Sequence, residues 1–407
     1  MSKVHTTPEI KIMPEKWNYA PHVLRLENSI IREILKISSK PGVISFAGGL
    51  PAPEMFPLED LKQSAVEMID EFGSDSMQYS LSMGISHLRK VVAERETRLG
   101  SPTKMENILI TTGSQQGIDL CARAFIDPGD YIITEYPTYV GALQAFNFYQ
   151  TRYASVEMDE NGMIVEQVEK AIKKYKPKFI YTVSNFQNPT GITMSEERRR
   201  TLVEIASKYN IPIVDDNPYG EIRFTGKAMP SLKDIGGEAV ISLGTFSKIL
   251  APGLRIAWIN ASEKAMPIFE RVKQCADLNA NTFTQYMIYG YMRNGKLDGH
   301  IETIKNNYAT KKDLMLREMA NNFPKGISWT KPEGGLFLWV TLPSDMSAKK
   351  LFDKAIEQKV AYVYGKPFYP DGNSENTMRL NYCTASMEMI SEGIKRLAKL
   401  LRDNMPR

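Results

Sequence analysis

Cysteine is scarce in this sequence: Cys121, Cys275 and Cys383 are the only three in 407 residues, and each lies more than a hundred residues from the next. That spacing excludes a disulfide framework and a clustered zinc site, so no metal is expected, and a reducing compartment is the simpler assumption. Long apolar runs are missing too. No stretch is long enough to span a bilayer, and Met1 to Lys16 lack the basic region and apolar core of a secretory leader. An excess of one charge is also missing: 51 basic against 47 acidic residues leave +4, without long single-sign blocks, so no nucleic-acid footprint is implied. Internal repeats and low-complexity segments are absent. These absences leave a cytoplasmic protein with neither nucleic acid nor membrane as partner, long enough for a large core and about two or three domains.

What is present has a clear rhythm. Residues 1 to 28 are mixed polar and aromatic, broken by Pro8, Pro14 and Pro21, and lead into an amphipathic helix from Ser29 to Lys36. Val43 to Glu54 reads as a short strand running into a loop. There the adjacent Gly48 and Gly49 serve either a plain turn or a close approach of backbone to a ligand. From Asn107 onward, short β-branched runs (108–112, 131–134, 179–183, 211–214, 240–243 and 256–259) alternate with helical segments such as 115–125, 165–174 and 195–209. This alternation predicts an α/β fold with a mostly parallel sheet covered by helices. Past about residue 300 the pattern changes to a long helix (300–320), strands at 335–340 and 377–382, and helices at 348–358 and from Ser386, which predicts a smaller α+β domain. The expected division is an arm and helix over 1–44 packing with the small domain, a large domain over 45–298, and a small domain over 299–407.

In open α/β sheets ligands bind outside the carboxyl ends of the strands, and the residues there are rich in polar chemistry. After the first run, Gly113 frees a turn and the amides of Ser114 and Gln115 open a helix, an anion site without the endings of a nucleotide P-loop or the spacing of a dinucleotide fingerprint. Tyr139 could stack on a flat ligand or pack in the core. Asn188 sits in a run of amides ending in a turn-forming Asn-Pro. Asp215 and Asp216 end an apolar strand, where a buried carboxylate needs a cationic or donor partner, and an inward-facing acid with a cationic partner is expected. Finally, Gly244 to Arg255 places Lys248 one residue after Ser247 and seven before Arg255. There a reactive amine, hydroxyl donors and a cation can converge on one anionic ligand.

A pyridine aldehyde carrying a phosphate needs all of these groups. Lys248 supplies the amine for a Schiff base, Asp216 a carboxylate for a protonated ring nitrogen, and Asn188 and Tyr219 hydrogen bonds to the ring hydroxyl. To react near neutrality, Lys248 must lose its ordinary pKa of about 10.4, which Arg255 would assist electrostatically.

In order and approximate spacing, Asn188-Pro-Thr-Gly191, Asp216-Asn-Pro-Tyr219, Ser247-Lys248 with Pro252-Gly-Leu-Arg255, and Arg379 in Met378-Arg-Leu-Asn381 resemble a fold-type-I, pyridoxal phosphate (PLP)-dependent aminotransferase of class I/II. The resemblance runs from about residue 40 to the end, and it implies a large domain with a seven-stranded-type sheet and pyridoxal 5'-phosphate as cofactor. It assigns the Schiff base and the general base to Lys248, the pyridine nitrogen to Asp216, and the ring oxygen to Asn188 and Tyr219. It assigns the phosphate to Gly113, Ser114, Gln115, Thr245, Ser247 and Arg255, and the stacking ring to Tyr139. Tyr79 would reach the phosphate of a neighbouring subunit, which implies a homodimer, and Arg379 would grip the substrate α-carboxylate.

Within the family, Ile44 to Glu54 and the preceding Ile31-Arg-Glu-Ile-Leu35 are most similar to the 2-aminoadipate/kynurenine aminotransferase group. That similarity implies ping-pong transfer from 2-aminoadipate, aromatic or aliphatic amino acids to a 2-oxo acid such as 2-oxoglutarate. Gly49 would meet the substrate through its backbone, and Arg32 would either read an acidic side chain or stay solvated. Ser184-Asn-Phe-Gln stands where relatives often carry a proline, a departure that bears on substrate preference. A PLP-dependent lyase or decarboxylase on the same scaffold, and a PLP-sensing regulator, are the alternatives.

Overall fold

The computed structural model describes residues 17–24, 26, 30–38 and 41–406. The large sheet is built from β1 (Ile108–Thr111), β2 (Tyr131–Tyr136), β3 (Arg152–Asp159), β4 (Gly162–Met163), β5 (Ile180–Thr182), β6 (Ile213–Asp216), β7 (Val240–Thr245) and β8 (Ala257–Asn260). Their spatial order is β1-β8-β7-β6-β5-β2-β3-β4. The run β7-β6-β5-β2-β3 is parallel throughout; β8 is antiparallel to both its neighbours, and the two-residue β4 folds back on β3 as an eighth strand. Strands covered on both faces read as continuous apolar runs, which is why the sequence announces this sheet. Helices Ser114–Phe125, Val165–Tyr175 and Glu196–Lys208 pack against it or against one another. Ser195 caps the last of these, its hydroxyl accepting from the Arg198 amide, with Glu196 and Glu197 in the first turn.

Two helices are hidden from the sequence pattern because polar side chains occupy their inward faces. Helix Ser86–Arg98 buries Arg89, which donates to the carbonyls of Ile108 and Met105 at 2.9 Å each, and Arg95, which pairs with Glu221 and Asp298. Helix Thr282–Arg293 buries Gln285, whose amide accepts from the Ile85 N–H and donates to the Ala280 carbonyl. Neither face presents an unbroken apolar stripe.

The second sheet is antiparallel, with strands β9 (Ser328–Trp329), β10 (Phe337–Thr341), β11 (Val363–Tyr364) and β12 (Thr377–Asn381) in the order β9-β10-β12-β11. Helix Lys296–Asn322 crosses the expected boundary at 298 and packs on the closing helix Met387–Asp403. A two-residue parallel pairing of Ile44–Ser45 with Val360–Ala361 extends through hydrogen bonds from Phe46 N–H to the Ala361 carbonyl and from Asn381 N–H to the Phe46 carbonyl. The chain from Ala47 to Gly49 is thereby laid beside β12. Helix Ile30–Ser38 contacts Val360–Ala361 and buries Ile34. Among the described residues, no helix is long and apolar enough to cross a membrane.

Because β8 returns antiparallel to β7, the connection from Phe246 to Ile256 stays at one rim of the sheet. A crossover helix would have carried the chain to the opposite rim. Lys248 and Arg255 therefore share the edge where β6 delivers Asp216.

Candidate active site

Lys248 follows β7 and is half-buried, and its Nζ donates to the Gly49 carbonyl at 2.8 Å. Burial, with help from the Arg379 and Arg255 cations, lowers its pKa to about 8, against opposing influences from Cys383 and Asp216. At pH 7 about a tenth of the amine is therefore neutral, against less than about a thousandth for an ordinary lysine, and the neutral form is the one a nucleophile or base requires.

Asp215 and Asp216 are the last two residues of β6, so their side chains point to opposite faces. Asp216 is buried and accepts from the Tyr181 hydroxyl at 2.8 Å through Oδ2. Its contact is thus a phenol; the expected cation, Lys248, acts through space. Burial raises the pKa of Asp216 to about 7, with Asp215 adding to the rise and Tyr181 and Lys248 opposing it. Its Oδ1 is buried with no partner among the described residues. Asp215 on the other face accepts from the Ser184 hydroxyl at 2.8 Å, and burial raises its pKa as well.

Arg379 comes from β12 and is 2% exposed. Nη1 donates to Asn188 Oδ1 at 2.8 Å and Nη2 to the Ala47 carbonyl at 2.9 Å, while the buried Nε has no partner among the described residues. The guanidinium lies 4.2 Å from the ring centre of Phe337 and 5.1 Å from that of Phe368, distances at which aromatic rings stabilise a cation. Burial lowers its pKa to about 10. Tyr219 meets Phe337 edge-on at 5.9 Å and shares a side-chain hydrogen bond with Asn188. With Asn188 Oδ1 held by Arg379, the Asn188 amide has only its NH2 to offer a ligand.

The residues expected to bind an anion lie at the ends of β1 and β7 and in the turns that follow them. Gly113, at φ 77°, precedes helix Ser114–Phe125, whose first N–H groups have no intrahelical acceptor. A Cβ at Gly113 would lie 2.1 Å from Arg255 Nη2. Thr245 and Ser247 share a hydroxyl hydrogen bond of 3.0 Å, and the Gln115 side chain donates to the Gly141 carbonyl at 2.7 Å. Tyr139, half-buried, caps helix Val140–Phe148 within electrostatic reach of Asp216, Arg379 and Arg255.

Two residues stand apart from this set. Tyr79 is 81% exposed. Arg32 is exposed and lines a separate groove of about 920 Å³ with Leu143, Asn147, Lys366 and Tyr369. Sequence reasoning did not single out Tyr181, Phe337 and Phe368. The first two lie in or beside apolar strands, where an aromatic carries no mark of a ligand-facing role, and no local signal marks the third.

A family model described as aminotransferase class I and II matches residues 46–397. The chain is 43% identical to aromatic-amino-acid aminotransferase 1 of Thermococcus litoralis over 95% of its length and 94% of the relative's. Among solved structures it is similar to the kynurenine aminotransferase of Pyrococcus horikoshii, with 41% identity, a TM-score of 0.92, and 96% and 98% of the two chains covered. It is also similar to LysN, the alpha-aminoadipate aminotransferase of Thermus thermophilus complexed with N-(5'-phosphopyridoxyl)-L-leucine, with 37% identity, a TM-score of 0.88, and 95% and 97% covered.

Proposed function

Because the chain belongs to the class I and II aminotransferases, enzymes that use pyridoxal 5'-phosphate, we propose that it transfers the amino group of a 2-aminoadipate-type, aromatic or aliphatic α-amino acid to a 2-oxo acid. We take 2-oxoglutarate as the acceptor and a ping-pong cycle centred on Lys248. The observation that carries this reading is the partly neutral Lys248 amine beside the buried Asp216, whose Oδ1 has no partner among the described residues. The donor classes are supported by the relatives, which are named for aromatic amino acids, kynurenine and alpha-aminoadipate. The enzyme is read as a cytoplasmic homodimer.

The residues fit the cofactor. Asp216 Oδ1 suits a pyridinium N–H, and the orphaned Arg379 Nε suits a carboxylate oxygen. When bound, the cofactor supplies an electrophilic aldehyde and an electron sink for the substrate Cα–H bond. Lys248 would hold the cofactor through Nζ, and the same nitrogen, when free, would accept the Cα proton. Asp216, facing a cation, is held ionised. Asn188 and Tyr219 donate to the ring oxygen, and Tyr139 covers the ring. Gly113, Ser114, Gln115, Thr245, Ser247 and Arg255 bind the phosphate, joined by Tyr79 from a second copy. Arg379 fixes the substrate carboxylate so that Cα–H is the bond aligned for cleavage. The Gly49 backbone borders the substrate, and Arg32 is the candidate for reading an acidic side chain.

A donor screen with 2-oxoglutarate over 2-aminoadipate, kynurenine, aromatic, branched-chain and acidic amino acids tests the reading. Glutamate formation from at least one of the first three groups is expected. Failure of 2-oxoglutarate with every donor removes it as the acceptor.

A further inference from the structure

Asn188 and Arg379 are set against each other by one hydrogen bond, and the loop carrying the first and the strand carrying the second must arrive in register for it to form. The residue before Asn188 is fully buried and uses its whole amide. Gln187 Nε2 donates to Glu135 Oε2 at 3.0 Å and to the Pro137 carbonyl at 2.8 Å, while Oε1 accepts from the Thr190 N–H at 2.9 Å and from the Thr190 hydroxyl at 2.7 Å. These four bonds tie three segments together: the loop carrying Asn188, the end of β2 that leads to Tyr139, and the turn at Thr190. Glu135 in turn is buried against the Thr182 hydroxyl and the Val183 N–H.

We infer that Gln187 is a positioning residue which, anchored by Glu135, sets the Asn188 amide against Arg379 and leaves its NH2 directed at the cofactor. This rests on the roles given above to Asn188 and Arg379. A saturated, buried amide is suited to the task, since each bond it loses leaves a buried donor or acceptor unpaired. Thr182 and Val183 donate to Glu135 Oε1 and Gln187 donates to Oε2, so both oxygens of the carboxyl serve as acceptors. Burial raises its pKa to about 8, and these hydrogen bonds oppose the rise. Glutamine at position 135 would keep an acceptor for one of these donors and turn an N–H group towards the others.

The experiment compares Gln187→Ala, Glu135→Ala and Glu135→Gln as holoenzymes, with Arg379→Lys as the reference for carboxylate binding. Gln187→Ala is expected to raise KM for both the amino acid and the 2-oxo acid about 10-fold, with kcat changed less than about 3-fold, because the carboxylate grip contributes to ground and transition states alike. It should also move the pH midpoint of the holoenzyme's visible absorbance upward, because a ring oxygen that loses a hydrogen-bond donor holds the neighbouring proton more tightly. Glu135→Ala should follow Gln187→Ala, and Glu135→Gln, which keeps one acceptor, should fall between Glu135→Ala and the wild type in both readouts. Thr190→Val, which removes one donor to Gln187 Oε1, should shift both quantities less and in the same direction, and it decides the matter if Gln187→Ala does not fold. Wild-type KM and midpoint in folded Gln187→Ala or, failing that, in Thr190→Val overturn the inference, as does wild-type behaviour of Glu135→Ala. Unchanged KM in Arg379→Lys would instead remove the carboxylate role of Arg379, a separate failure.

Discussion

Lys248 is pressed from one side by burial and by two guanidinium groups, and drawn the other way by Asp216 and Cys383. The outcome, an amine titrating near 8, fixes the sign of a pH effect. The neutral form grows as pH rises through that value, so capture of pyridoxal phosphate by the apoenzyme should accelerate with pH and level off by about one unit above it. Stopped-flow growth of the visible absorbance reads this, and a rate still climbing near about pH 10.4, as an unperturbed lysine would give, overturns the assignment. Asp216, Asn188 and Lys248 drew notice in the sequence because polar residues at or beyond the ends of apolar runs have few packing explanations, whereas Arg379, inside β12, was picked out only by the family resemblance. Tyr181 was not legible. In β5 it is one more large residue in a buried run, and only the neighbouring β6 gives its hydroxyl the Asp216 carboxylate to meet.

At the scale of elements, the turn from Thr111 to Ser114 is held by a contact no side chain can enter. Gly113→Ala would place a Cβ against Arg255 Nη2 and force alanine to a φ of 77° with a ψ of 160°, a conformation costing about 1–3 kcal/mol for an L-residue. Arg255 must then move out of the cradle. The expected result is a rise of about 10-fold or more in the Kd for pyridoxal phosphate, with a small fall in Tm; equilibrium dialysis against the apoenzyme measures the first, and an unchanged Kd would remove the cradle role. The strands were readable because their runs are apolar on both faces. Helices Ser86–Arg98 and Thr282–Arg293 were not, because Arg89, Arg95 and Gln285 spend their polar groups on the backbone or on partners distant in sequence.

At the scale of the molecule, Met77, Tyr79 and Leu81 leave large apolar side chains in water, 62%, 81% and 71% exposed. Under the homodimer reading these side chains supply apolar surface that a second copy would cover. If Tyr79 serves the site of a second copy, Tyr79→Ala and Lys248→Ala chains should complement each other. Each mixed dimer then holds one intact site, and a random mixture should recover about a quarter of wild-type activity, well above the mean of the two parents. Absence of recovery in mixed dimers confirmed by sedimentation would place Tyr79 in its own subunit's site or in none. Within one subunit, the contacts that close the site join residues far apart in the chain: Lys248 to Gly49 over 199 positions, Arg379 to Asn188 over 191, and Arg379 to Ala47 over 332. Closing such long loops is slow relative to forming local structure. During synthesis, the sheet bearing Lys248 and Asp216 can assemble while the codon for Arg379 is still unread. A ribosome-bound chain can therefore place Lys248 near Asp216 before Arg379 exists, and until then the amine lacks one of the two guanidinium groups that lower its pKa.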